Sequence, residues 1–152
     1  MLSGKLCQNQ FNMLISVPIS ALLLLIATAS YSQVGINTIT PLSTLDVNGN
    51  MSVKVITLTG SGAITSISDG VYISINPQGT NQEFQLPNPA TYPGRMYFIR
   101  NINNTYTAQL STVSGLIFPK SSTTGSAQIY MWEGNRRSVI VVSDGSNWTY
   151  FD

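Results

Sequence analysis

Histidine is absent from the 152 residues, and cysteine occurs once, at Cys7. These two gaps exclude a good deal of chemistry. Without histidine, and with its one cysteine ahead of the long apolar stretch, the body of the chain cannot assemble a Ser-His-Asp triad, a Cys-His dyad or an ordinary zinc site. Nor can that body be stapled by a disulfide, so its stability must come from apolar burial, from association, or from both. No phosphate-cradling glycine loop or calcium-loop spacing occurs, and no cofactor or metal is expected. Charge is scarce as well: Asp, Glu, Lys and Arg make up 9% of the chain, against about 25% in an average globular domain. After residue 32, Lys54, Arg95, Arg100, Lys120, Arg136 and Arg137 balance Asp46, Asp69, Glu83, Glu133, Asp144 and Asp152. Nucleic acid is excluded as a partner because it needs a basic stripe. A membrane-surface helix, which needs Lys and Arg along one face, is missing too. Ser, Thr, Asn, Gln and Gly fill the surface role, a composition that stays hydrated outside a cell without strong fields.

What is present begins with an export signal over residues 1–32. Lys5 precedes an apolar stretch from Met13 to Ala29, and Ser30 and Ser32 occupy the −3 and −1 positions of a signal-peptidase site. Cleavage after Ser32 makes Gln33 the mature N-terminus. The stretch falls short of the roughly 20 residues that span a bilayer and Pro18 interrupts it, so no membrane association is expected after cleavage. About 120 residues remain, enough for one domain with a short extension.

Strand signals dominate beyond Gln33, because short β-branched or aromatic runs are separated by turn residues at regular spacing. The runs are Val53–Thr59, Gly70–Asn76, Glu83–Leu86, Arg95–Asn101, Thr105–Thr112, Leu116–Phe118, Ala127–Glu133, Ser138–Ser143 and Trp148–Phe151. In Gly70–Asn76, Val71, Ile73 and Ile75 alternate with Tyr72 and Ser74, which implies one buried face. Pro87, Pro89 and Pro93 mark a loop, since proline lacks the ladder donor. Glycine first in Gly134-Asn135 suits a type II′ hairpin turn, and Asp144-Gly145-Ser146-Asn147 joins the last two runs. A three-stranded C-terminal meander is therefore expected. The fold class is all-β: a small antiparallel β-sandwich or jelly-roll-like domain over 61–152, preceded by a stem over 33–60. Meander, jelly roll and intertwined trimer all agree with the alternation.

Val34-Gly35-Ile36-Asn37-Thr38, then Pro41, then Leu45-Asp46-Val47-Asn48-Gly49 resembles a short module near the start of fibrous bacterial surface proteins and phage tail-fibre proteins, where it reads approximately VGIGTxxPxxxLDVxG. Asn37 stands where glycine is usual. The remainder resembles a domain of tail fibres and adhesive stalks through Phe84-Gln85-Leu86-Pro87, Gly94 to Asn101, and Val142 to Trp148. The resemblance implies a homotrimeric, secreted β-fibre module with a terminal β-domain. With no long repeat region, a short fibre or a head alone is expected.

Two sets of side chains are candidates for chemistry or binding. Glu83 and Glu133 are the one carboxylate pair outside turn signatures that a glycosidase could use, and solvated strand-edge charges are the plainer reading. Tyr130 and Trp132 share one face of their strand, as do Trp148 and Tyr150. Exposed, such rings stack on the C–H faces of sugars; buried, they fill a core or a subunit interface. Arg136 and Arg137 follow a turn and read as solvated charges. The leading expectation is a non-catalytic structural or adhesive module that associates with itself. A monomeric carbohydrate-binding module built on Tyr130, Trp132, Trp148 or Tyr150 is the alternative, and a polysaccharide-cleaving enzyme comes third.

Overall fold

The computed structural model describes residues 34–152. The export signal, Cys7 and the Ser32/Gln33 junction lie outside them. The described chain divides into two compact units, the boundary falling after Met51.

In the first unit, β1 (Val34–Ile36) pairs in parallel with β2 (Leu45–Val47). The loop between them closes tightly. A Cβ on Gly35 would lie 2.5 Å from the Thr38 carbonyl oxygen, so only glycine fits there. Asn37, in the position where the resembling module has glycine, sits in the left-handed region at φ 58°. Asparagine tolerates this conformation better than other side chains, and its Nδ2 donates to the Asn48 carbonyl at 3.0 Å. The apolar side chains of the unit have little to pack on: Ile39 is 99% exposed and Leu42 94%, and Val34, Ile36 and Leu45 are each more than half exposed.

The second unit is a two-sheet all-β sandwich. Its six-stranded sheet has the order β3 (Val55–Thr59), β5 (Tyr72–Asn76), β7 (Met96–Asn101), β11 (Ser138–Ser143), β12 (Trp148–Phe151), β9 (Ile117–Pro119). The four-stranded sheet has the order β10 (Gln128–Met131), β8 (Ala108–Thr112), β6 (Gln82–Leu86), β4 (Thr65–Ser66). From β3 to β8 the chain changes sheet at every step, so each strand lies beside the strand two earlier and runs parallel to it. A parallel pair needs a crossover rather than a tight hairpin, and here the intervening strand of the opposite sheet supplies it. Five of the eight pairings in this unit are parallel. The all-β sandwich thus agrees with the sequence, whereas the expected antiparallel pairing is replaced by a mixed one.

Three local expectations are corrected in the same way. Val55–Thr59, assigned to the stem, is an edge strand of the six-stranded sheet. Ala127–Glu133 does not form a hairpin with Ser138–Ser143, because β10 and β11 belong to different sheets. At their junction the left-handed residue is Arg136, at φ 45°, rather than Gly134. The last hairpin is as expected. Asp144 N–H donates to the Asn147 carbonyl, and the Asp144 carboxylate accepts from the backbone of Ser146 and Asn147. Those donors, Asn147 first, hold its carboxyl below the ordinary 3.8. The proline segment is a loop with a 3₁₀ turn over Pro89–Thr91.

The core lies between the sheets. Ile73, Ile75, Tyr97, Ile99, Val139, Val141 and Trp148 from one sheet meet Phe84, Leu86, Leu110, Ile129 and Met131 from the other. Among the described residues every buried side-chain nitrogen and oxygen has a hydrogen-bond partner. Asn101 is the principal buried polar group. Its Nδ2 donates to the carbonyls of Tyr106 and Met131, both at 2.9 Å, and its Oδ1 accepts from Asn103 N–H. It therefore ties β7 to β10 in the opposite sheet.

Candidate functional site

The outer faces of the two sheets differ in kind. On the four-stranded sheet the outward row is Glu83, Gln109 and Tyr130, beside Gln85, Ser111 and Gln128. These side chains bond to one another: Gln109 Nε2 to Gln128 Oε1, Gln128 Nε2 to the Tyr130 hydroxyl, and the Ser111 hydroxyl to Glu83. This is the usual polar-out alternation of a sheet with one wet face.

The six-stranded sheet carries apolar rows on both faces. Its register places Val55, Tyr72, Phe98, Ile140 and Phe151 in one continuous row across five strands, all turned away from the core. Met96, Val142, Thr149 and Phe118 form the neighbouring row, and Thr57, Ser74, Arg100 and Ser138 a polar one on the other side. A groove of about 310 Å³ is lined by Tyr72, Phe98, Ile140 and Phe151 together with Arg100, Ser138 and Asp152. Val55 is 63% exposed and Phe151 43%. None of this row was singled out from the sequence. The signal was there, however: Met96-Tyr97-Phe98-Ile99 and Val139-Ile140-Val141-Val142 are unbroken apolar runs, which in a strand mean that both faces want cover.

The four aromatic candidates are divided by the fold. Trp148 and Tyr150 point inward as core residues. Trp148 is fully buried with its Nε1 donating to the Pro87 carbonyl at 3.2 Å, and its ring lies 5.8 Å from that of Tyr97. It cannot reach a ligand. Tyr130 and Trp132 turn outward at the opposite sheet's edge strand, Trp132 being 41% exposed. No single platform of the four exists. Arg136, read from the sequence as solvated, is pinned: its guanidinium lies 5.2 Å from the Trp132 ring and 5.3 Å from the Tyr150 ring, and its Nε donates to Asp152 at 2.7 Å. Arg137 donates to the carbonyls of Asn101 and Asn103.

Glu83 and Glu133 are engaged separately. Glu83 is on β6, two strands from β10, and takes the Ser111 hydroxyl. Glu133 follows β10 and takes the Thr107 hydroxyl at 2.8 Å. Its own backbone N–H and Thr107 hold its carboxyl below the usual range, the direction opposite to that of a general acid. Among the described residues no group of three or more His, Cys, Asp or Glu comes together to hold a metal, and no helix is long and apolar enough to cross a membrane.

The chain matches no protein-family model, no curated protein and no solved structure.

Proposed function

We propose that this protein is an exported, non-catalytic structural or adhesive β-module that works by assembling with copies of itself as a homotrimer. The observation that carries the reading is the apolar row Val55, Tyr72, Phe98, Ile140 and Phe151 on the outward face of the six-stranded sheet. An apolar band of this kind on a soluble chain marks an interaction surface, and copies of the same face supply a matched cover. The first unit adds support: with Ile39 and Leu42 almost fully exposed, two three-residue strands gain their stability by packing on neighbours. The threefold order comes from the tail-fibre resemblance, and export from the leader. Light scattering on the chain from Gln33 to Asp152 tests it. The expected mass is a multiple of three copies, and Phe98→Asp, which places a charge in the apolar row, is expected to lower it threefold while the far-ultraviolet dichroism stays that of a β-sheet. A wild-type chain that is a monomer at every concentration overturns the reading.

A second reading, a carbohydrate-binding module, draws on Trp132, the exposed tryptophan with Tyr130 beside it on the same face. It predicts that Trp132→Ala abolishes retention on a glycan array, a loss of tenfold or more in affinity at about 1.4 kcal/mol per decade, with the melting temperature unchanged. Equal retention of wild type and variant removes that reading.

A further inference from the structure

The row of copies proposed above leaves one feature of the sandwich unused, the free side of β3. We infer that β3 is a two-fold docking edge, on which the β3 strand of a second copy pairs antiparallel about Thr57. The inference goes beyond the trimer and does not depend on it.

β3 ends the six-stranded sheet, and its backbone shows which groups are spare. Lys54 accepts from Val71 and Tyr72, and Gly60 donates to Asn76. In the parallel register Val55↔Tyr72, Thr57↔Ser74 and Thr59↔Asn76, the β3 residues bonded to β5 are therefore Lys54, Ile56, Leu58 and Gly60. The N–H and C=O groups of Val55, Thr57 and Thr59 point to the open side. Natural sheets guard such edges with lysine, proline, a bulge or a very short strand. The four-stranded sheet ends on β4, two residues long, and on β10, four residues without charge or proline, while β9 at the end of the six-stranded sheet opposite β3 carries Pro119 and is covered by a bridge from Ser126. β3 has none of these: Val-Ile-Thr-Leu-Thr holds no charge and no proline, and Lys54 at its start is already paired with Asp69.

The strand is complementary to itself in one full-length register. Rotated about Thr57, Val55 faces Thr59 of the second copy, Thr57 faces Thr57, and Ile56 faces Leu58. The three residues with spare backbone groups thus fall on hydrogen-bonded positions, where each facing pair exchanges both N–H···O bonds. Ile56 and Leu58, partly buried against the edge of the core, fall on the closer non-bonded positions and cover each other. A shift by one residue would set inward side chains against outward ones. A second copy meets each spare backbone group of β3 with its own spare group and each inward apolar side chain with another, and is the occupant. Such a contact is isologous and closes on itself. Combined with a threefold assembly it joins two trimers, where several short edges acting together bind far more tightly than one alone.

The test is made on the full chain, recovered after export. Thr57→Pro removes an N–H that β5 does not use, and proline is tolerated on an edge strand; Thr57→Lys puts like charges face to face across the axis. Both are expected to halve the mass seen by light scattering and to keep the β-sheet dichroism. Thr57→Cys is expected to form a disulfide-linked pair under mild oxidant, because facing residues lie about 5.5 Å apart at their Cα atoms. Val55→Cys, which faces residue 59 instead, is expected to stay single. Equal masses for wild type and for a folded Thr57→Pro or Thr57→Lys overturn the inference, as does cross-linking of Val55→Cys at the rate of Thr57→Cys. The threefold loss with Phe98→Asp is a separate factor, so each interface stands or fails on its own variant.

Discussion

Replacing Trp148 with alanine is expected to destabilise the sandwich by about 3–5 kcal/mol, the usual cost of emptying a large aromatic site, and so to remove much of the 5–15 kcal/mol by which a domain of this kind is stable. The reasons are local and add in one direction. Trp148 is fully buried at the start of β12, packs at a tilt on Tyr97 from β7, and gives its indole N–H to the Pro87 carbonyl. Alanine leaves a cavity against the Tyr97 ring and strands that carbonyl. Urea unfolding followed by tryptophan fluorescence, with Trp132 as the remaining reporter, checks the result. A midpoint within error of wild type would contradict the placement of Trp148 in the core. Because the side chain is inside, this variant cannot separate a structural role from a glycan-binding one; Trp132→Ala can.

The second large effect is expected at Asn101. Asn101→Leu keeps the volume but removes the donor to Tyr106 and Met131 and the acceptor for Asn103. Exchanging a buried polar group for an apolar one is close to neutral only when its partners are exchanged as well. Here the partners are backbone groups that no substitution removes. At about 1–3 kcal/mol for each buried group left unsatisfied, a loss of about 3 kcal/mol is expected, with the slope of the denaturant transition unchanged because the folded state remains the same. Asn101→Asp is expected to be no better, since it retains the acceptor but loses both donors and buries a charge. A Leu variant as stable as wild type would show that β7 and β10 are held together by packing alone.

How much of this was legible beforehand can be judged from particular strands. β5, β7, β11 and β12 fall within a residue or two of the apolar runs that announce them, because alternation and β-branching act on neighbouring residues. The Asp144–Asn147 hairpin was equally readable, since the Asp144 carboxylate satisfies the turn from within four residues. Gly134-Asn135 misled for the same reason: turn residues set local dihedrals, and a reversal between two sheets uses much the same residues as one within a sheet. β4 was missed because two residues, Thr65 and Ser66, carry no periodicity. Asn101 was missed because an asparagine that closes a strand reads as a solvated end, whereas here it is buried and tied to the opposite sheet.

The aromatic residues mark the boundary between the two kinds of information. Alternation along the chain determined that Trp148 and Tyr150 share a face and that Tyr130 and Trp132 share a face. Which of those faces the core depends on the strands lying across from them, and that is a property of sheet order. Composition by itself determined that the body of the chain has no histidine, no disulfide and no basic stripe, because these are properties of residue content. Only the tertiary structure decided that the pairing is parallel along β3 to β8, that Val55, Tyr72, Phe98, Ile140 and Phe151 line up across five strands, and that β3 is left with an open side. Each of those requires residues far apart in sequence to meet in a particular register, and register is set by long-range packing rather than by any segment's own preference.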